Sequence, residues 1–205
     1  MEYLEALNSG SSPKIEKAAR QIFKKKLEGY CPHLIEVLEA QIKKPKAWKS
    51  QSELIKAIGA TGCSQALPLL KNLVEKDFKA TVLYKHLAFS IMLLQNASMT
   101  NIEFLYASIK KGNSLQIGGA CSALLYNKVI PNNDDIKNIL IGIEPFTENE
   151  GKVIGPRVYI AALAYLWPKE QTKDFLENCL SSDSTILAEI AQSSLQGKEP
   201  YYKLV

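Results

Sequence analysis

The residues with the widest range of chemistry in this sequence are its cysteines and its two histidines. Cys31 and His33 are separated by one residue, and a thiolate and an imidazole at that spacing can supply two of the four ligands of a structural zinc site. No second pair follows nearby, so the sequence favours a histidine that contacts its own helix turn. The four cysteines occur singly, without a Cys-x-x-Cys motif, and we expect them to be reduced, half-buried thiols: Cys31, Cys63, Cys121 and Cys179.

Two other segments carry residue types that bind phosphate or perform acid–base catalysis. Residues 55–70, IKAIGATGCSQALPLL, contain two glycines three residues apart, but the preceding strand and the Gly-Lys-Ser/Thr of a P-loop are missing. Asp134 and Asp135 stand at a predicted helix start, where carboxylates stabilise the free N–H groups and the helix dipole. His86 lies among apolar residues and is expected to be partly buried. The sequence therefore predicts no catalytic residue, no metal or cofactor site and no enzymatic activity.

The composition is that of a globular protein, with 46% hydrophobic and 22% charged residues in a chain of 205. No apolar run approaches the roughly 18–20 residues that a membrane-spanning helix requires, and the first residues lack the pattern of a secretory signal. We therefore expect a cytoplasmic protein without membrane contact. The net charge of +4 is uneven, with +5 over residues 1–79, +3 over residues 80–130 and −4 over residues 131–205.

The elements that must position these residues are helices. Apolar residues recur at helical spacing along most of the chain, which predicts eleven helices with very short connections. Small residues recur inside every second helix and let neighbouring helices approach closely. Their markers are Ala88, Ala120, Ala161 and Ala188. We predict an all-α solenoid of about five stacked antiparallel hairpins plus a C-terminal capping helix. One domain spans 12–197, between a flexible N-terminus at 1–11 and a tail at 198–205.

The turn within residues 58–70 resembles the turn of a HEAT repeat. In that family an outer helix ends in Ile/Leu-Gly, a short Gly-bearing turn follows, and Ala-Leu/Val-Pro-x-Leu opens the inner helix. The matching residues are Ile58, Gly59, Gly62, Ala66, Leu67, Pro68 and Leu70. We predict that Gly59 ends its helix in a left-handed conformation and that Ser64 caps the next helix.

The resemblance also implies a binding surface, because the second helix of each hairpin lines the concave face of a HEAT-like array. Polar side chains on those helices become the candidates for partner contact. They are Lys71, Glu75, Glu103, Tyr106, Lys110, Lys137, Asn138, Lys173 and Glu177. This surface is basic toward its start and acidic toward its end, which suits a folded protein of complementary polarity.

A second candidate surface consists of seven lysines around the first predicted hairpin. If they meet in space, they form a basic patch for phosphates or for an acidic protein, although solvated helix ends account for them more simply. They are Lys24, Lys25, Lys26, Lys43, Lys44, Lys46 and Lys49. Arginine, which reads phosphate better than lysine does, occurs twice in the chain, so nucleic acid is the less favoured partner.

These features favour a non-catalytic protein-binding scaffold. Most specifically, they favour an inhibitor or immunity-type protein that masks a toxin or an enzyme, a step that rests on analogy with free-standing arrays of this size. The alternative is a nucleic-acid-binding array similar to the DNA-alkylation-repair glycosylases. That alternative requires a continuous basic groove with an acidic residue at its centre.

Overall fold

The computed structural model describes residues 2–95, 101–147, 149–150 and 153–201. The chain divides into two compact units, Met1–Ala97 and Ser98–Val205, where the sequence predicted one domain over 12–197. The last four residues of the predicted tail, 202–205, lie outside the described residues.

Unit 1 is built from six α-helices and two short 3-10 turns. The α-helices are α1 (Leu4–Leu7), α2 (Ser12–Lys25), α3 (Cys31–Gln41), α4 (Trp48–Ala60), α5 (Leu67–Val74) and α6 (Val82–Gln95), and the 3-10 turns are Pro45–Ala47 and Ser64–Ala66. Helices α2, α4 and α6 pack side by side, with α3 against α4 and α5 against α6. These three neighbouring first helices form the centre of the unit.

Polar side chains fix the first hairpin of unit 1. The Ser12 hydroxyl donates to Gln41 Oε1 over 2.9 Å, which joins the start of α2 to the end of α3. The Gln51 amide donates to the carbonyl oxygens of Gln41 and Lys44 over 2.8 and 2.9 Å. Because α3 ends without a glycine, these bonds from α4 satisfy carbonyl groups that the helix end leaves open.

The HEAT-like turn is present, but the left-handed residue is Gly62. Gly62 has a φ of +68°, and the prediction of a left-handed Gly59 is wrong. Gly59 lies inside α4, where a Cβ atom would stand 2.7 Å from Ser90 Cα on α6. The glycine is therefore required by a close helix approach, which the Ser90 hydroxyl strengthens by donating to the Ile55 carbonyl over 2.7 Å. Ser64 makes no capping bond; it begins the 3-10 turn.

Cys31 and Cys63 form a disulfide, so the expectation of reduced thiols is wrong for this pair. The bond joins the start of α3 to the turn after α4, across a sequence separation of 32 residues. The HEAT-like turn places Cys63 beside Cys31 of the preceding hairpin. Single cysteines without a Cys-x-x-Cys motif do not predict this proximity. Cys121 and Cys179 are buried and are not in a disulfide.

The first residues of unit 1 are packed. Helix α1 buries Leu7, which is 1% exposed, and the Tyr3 backbone N–H donates to the Tyr30 hydroxyl over 3.3 Å. Lys25 Nζ donates to the Tyr3 hydroxyl over 3.1 Å. The predicted flexible N-terminus at 1–11 thus contains a short helix attached to the first hairpin.

Unit 2 also has six α-helices and one 3-10 turn. The α-helices are α7 (Glu103–Lys110), α8 (Ser114–Tyr126), α9 (Asn133–Ile143), α10 (Pro156–Leu163), α11 (Lys169–Leu180) and α12 (Thr185–Leu195), with the 3-10 turn at Ala164–Leu166. The segment between α9 and α10 contains a two-residue antiparallel pair, β1 (Asn149–Glu150) and β2 (Val153–Ile154). Three helices begin after a side-chain cap, from Asn113, Asn132 and Ser184.

The centre of unit 2 is made of α8, α10 and α12, which pack in that order. The ring of Tyr159 on α10 lies over Gly118 of α8, where a Cβ atom would stand 2.8 Å from the ring. The Ser194 hydroxyl of α12 donates to the Ala161 carbonyl of α10 over 2.7 Å. Small residues therefore set the helix spacing in this unit, as the recurring alanines predicted.

The predicted class, an all-α helical-repeat solenoid, is confirmed, because both units consist of stacked antiparallel hairpins. Among the residues that the structure covers, no helix is long and apolar enough to cross a membrane.

Candidate functional site

The candidate partner-binding residues predicted from the sequence lie on the second helices of the hairpins, α5, α7, α9 and α11, or directly after them. Eight of the nine side chains are exposed, and Tyr106 is half-buried. Lys71 and Glu75 belong to unit 1, whereas the other seven belong to unit 2. Lys173 and Glu177 meet as an exposed i,i+4 pair at 3.8 Å, and such pairs stabilise a helix only weakly.

Tyr106 joins two second helices within unit 2. Its hydroxyl donates to Asp135 Oδ1 over 2.7 Å, and Asp135 in turn receives the Asn132 amide over 2.8 Å at the start of α9. Burial, and then the hydrogen bond to Asp135, raise the pKa of Tyr106 to about 12. This side chain connects α7 to α9, a role that its sequence position did not reveal.

A groove of about 360 Å³ lies between α9 and α11 in unit 2. Its apolar wall consists of Leu140, Ile141 and Phe175. Ile141, on this wall, is 58% exposed. We call this feature the α9–α11 groove; its remaining lining residues are Glu144, Arg157, Gln171, Asp174 and Asn178.

The polar lining of the α9–α11 groove consists of two carboxylates, two amides and one guanidinium. Glu144 follows α9, Asp174 lies on α11, and both are exposed. Arg157, at the start of α10, is half-buried, and its guanidinium donates to the sulfur of Cys179 over 3.7 Å. The groove therefore offers an apolar wall, a fixed cation and two accessible negative charges.

None of the nine predicted contact residues lines this groove. Lys173 lies on the flank of α11 that faces α12, where a smaller cavity of about 200 Å³ includes Lys169 and Leu176. The sequence did carry a signal for the groove. Residues 139–141 of α9 are Ile-Leu-Ile. Three consecutive residues span more of the helix circumference than one buried face covers, so one of the three must face outward.

The seven lysines of the predicted basic patch are all exposed, but they form two groups. Lys24, Lys25 and Lys26 end α2, and the other four surround the 3-10 turn Pro45–Ala47. The bond between Ser12 and Gln41 places the end of α3 beside the start of α2, so the groups lie at opposite ends of α2. A 14-residue helix is about 21 Å long, which is too far for one patch.

The centre of unit 1 holds a row of charged side chains that sequence reasoning missed. Arg20 on α2 contacts Glu16 at 2.6 Å and Glu53 of α4 at 3.4 Å, and Lys56 contacts Glu53 at 3.1 Å. The side chains of Glu53 and Lys56 are only 11% and 12% exposed. We call these four residues the charge ladder.

His86 of α6 lies beside this row and is mostly buried, as the sequence predicted. Burial, followed by the positive charges of Lys56 and Lys85, lowers its pKa to about 3. A neutral imidazole surrounded by cations is a poor proton acceptor near neutral pH. Cys31 and His33 offer no thiolate–imidazole pair, because Cys31 is in the disulfide.

Comparison with known proteins gives one structural likeness. No family model matches the chain, and no match was found among curated protein sequences. A designed armadillo repeat protein is similar at 17% sequence identity and a TM-score of 0.42, over 96% of this chain and 98% of that one.

Proposed function

We propose that this chain is a non-catalytic protein-binding scaffold, and more specifically an inhibitor or immunity-type protein that masks a toxin or an enzyme. The observation that carries the proposal is the α9–α11 groove, an open apolar surface with a charged edge on the second helices of unit 2. Apolar anchors surrounded by polar side chains are the usual centre of a protein–protein interface.

Nucleic-acid binding receives less support from the same residues. Phosphate binding depends on a row of cations, whereas the seven lysines are divided between the two ends of α2 and the α9–α11 groove has carboxylates at its edge. We therefore propose a protein partner, and we propose a cytoplasmic location for the chain itself, as its sequence led us to expect.

The test is to recover the partner from the native cell with the tagged full chain, identify it by mass spectrometry and purify both proteins. An inhibitor forms a defined complex with its partner and suppresses the partner's own activity. A purified partner whose activity is unchanged within the complex would make the chain a scaffold of another kind.

The control for the nucleic-acid alternative is a salt titration with DNA and RNA. Six phosphate contacts would reduce affinity about a thousandfold between 50 and 200 mM salt, and exchanging five lysines for glutamine (Lys24, Lys25, Lys26, Lys43 and Lys44) would remove the binding. We expect weak, salt-sensitive binding only. Tight binding that the five-lysine variant loses contradicts the proposal.

A further inference from the structure

The α9–α11 groove has a chemistry that narrows the kind of partner segment it fits. Its wall is formed by side chains from both helices, Leu140 and Ile141 from α9 and Phe175 from α11. Leu140 and Phe175 are half-buried, while Ile141 stands 58% exposed. A large apolar side chain placed between them would cover Ile141 and complete the packing of all three.

The charges around this wall are predominantly negative. Helix α9, the following Glu144 and helix α11 together carry six carboxylates and three lysines. Two of the carboxylates, Glu144 and Asp174, line the groove from its two helices. A helix end also carries partial negative charge on its last carbonyl groups, and Glu144 follows the end of α9 directly.

We propose that the α9–α11 groove binds a partner-protein segment that presents one large apolar side chain with a lysine or arginine beside it, a refinement that rests on the protein-binding function proposed above. The apolar side chain packs against Leu140, Ile141 and Phe175. The cation lies at the groove edge between Glu144 and Asp174.

Arg157 limits where that cation goes. Its guanidinium already lies in the groove beside Cys179, so a second cation at this depth would be repelled. The edge positions are exposed and carry the two carboxylates. An acidic residue placed between Glu144 and Asp174 instead of that cation would face two like charges, which opposes binding.

The experiment uses a display library of random linear peptides, selected on the full chain and counter-selected on the Ile141→Glu variant. Enriched peptides are expected to contain a large apolar residue next to lysine or arginine. Their affinity is expected to fall at least about tenfold in Ile141→Glu, because an apolar contact becomes a buried charge. Perturbed methyl signals of Leu140 and Ile141 in NMR spectra would locate the peptide in the groove.

A charge reversal tests the cation directly. The double variant Glu144→Lys with Asp174→Lys is expected to select peptides with an acidic neighbour in place of the basic one. The matched control, Glu28→Lys with Asp183→Lys, makes the same change in net charge at exposed positions outside the groove and is expected to keep the basic preference.

Several results would overturn the inference. The first is equal binding of the enriched peptides to Ile141→Glu and to the unaltered chain. The second is selection of peptides with an acidic neighbour by the unaltered chain. The third is self-association of the full chain through Ile141, which would make a second copy the occupant of the groove.

If a native inhibited partner binds Ile141→Glu as tightly as it binds the unaltered chain, the groove inference fails and the proposed function stands. If the peptides bind as described but no partner is found whose activity the chain inhibits, the groove inference stands and the proposed inhibitor function fails.

Discussion

Unit 1 and unit 2 use the same hairpin arrangement but place their polar side chains differently. In unit 1, Glu53 on the central helix α4 connects to Arg20 and Lys56, and its side chain is 11% exposed. In unit 2, the central helix α8 is packed through glycine and alanine, with the ring of Tyr159 over Gly118. The Glu53–Lys56 ion pair is mostly buried inside unit 1, whereas the charge-free helix α8 lies at the centre of unit 2.

The surfaces of the two units show the opposite distribution. Of the large hydrophobic side chains exposed within the described residues, Trp48 alone belongs to unit 1, and Lys49 Nζ lies 5.6 Å from the centre of its ring. The four in unit 2 are Ile130, Ile141, Leu180 and Tyr201. From this comparison we expect that the contacts within unit 1 stabilise that unit and that the proposed recognition lies in unit 2.

Removing the disulfide is the strongest way to test the assignment of stabilisation to unit 1. The Cys31→Ser, Cys63→Ser variant is expected to lose about 3–4 kcal/mol of unfolding free energy, because the unfolded chain regains the freedom of a loop of this length. Denaturant unfolding with and without a reducing agent measures the loss, and the double variant serves as the control that no longer responds to reduction.

The effect should be confined to the unfolding of unit 1, which contains both cysteines. Mass spectrometry after alkylation in denaturant without reductant should find two reactive thiols, Cys121 and Cys179. Four alkylated cysteines would show that the bond does not form in solution. A disulfide is typical of an oxidising compartment, so the same measurement on protein taken from its native cell also tests the proposed cytoplasmic location.

The next largest effect is expected from the close approach between α4 and α6. Gly59→Val should cost about 2–3 kcal/mol, because the new side chain meets the backbone at Ser90 and the two helices must separate. The counterpart in unit 2 is Gly118→Val, which meets the ring of Tyr159, a group that can rotate away. Thermal unfolding of both variants compares them, and an unchanged midpoint for Gly59→Val would mean that α4 and α6 are not in close contact.

His86 makes the stability of unit 1 depend on pH. Its folded pKa of about 3 lies below the ordinary value of 6.5, so the unfolded chain binds the extra proton between these values. The stabilisation from the neutral imidazole is thus complete above about pH 6.5 and is lost as the pH falls toward 3. We expect a loss of about 2 kcal/mol between pH 7 and pH 5.

The groups beside His86 do not reverse this expectation. The positive charges of Lys56 and Lys85 lower the pKa of His86 further. Lys85 keeps its charge over this range, because its own pKa, lowered to about 8 by burial, lies above it. The measurement is the unfolding free energy at each pH, with His86→Gln as the variant expected to flatten the profile. His33→Gln is the matched control, and an equal flattening by that variant would contradict the assignment.

The contrast between the units also shows what the sequence reveals and what it leaves open. Helical spacing and recurring small residues predicted the hairpins, because one period repeats over many positions and a local error changes little. The disulfide and the Arg20–Glu53 contact of the charge ladder join side chains from neighbouring hairpins. Spacing within one helix does not determine those contacts. The α9–α11 groove escaped prediction because only polar residues were chosen as contact candidates, and the exposed Ile141 was not among them.

Tyr106 gives the smallest expected effect and the finest test of the comparison. The sequence placed it among the partner contacts, whereas in the structure its hydroxyl donates to Asp135 over 2.7 Å inside unit 2. Tyr106→Phe should cost about 1 kcal/mol of stability, because Asp135 keeps its bond from the Asn132 amide and does not lose every donor. Partner affinity should stay unchanged in this variant, measured by calorimetry beside the unfolding midpoint. If Tyr106→Phe instead lowers partner affinity and leaves the unfolding midpoint unchanged, Tyr106 contacts the partner. The binding surface of unit 2 would then include α7 as well as the α9–α11 groove.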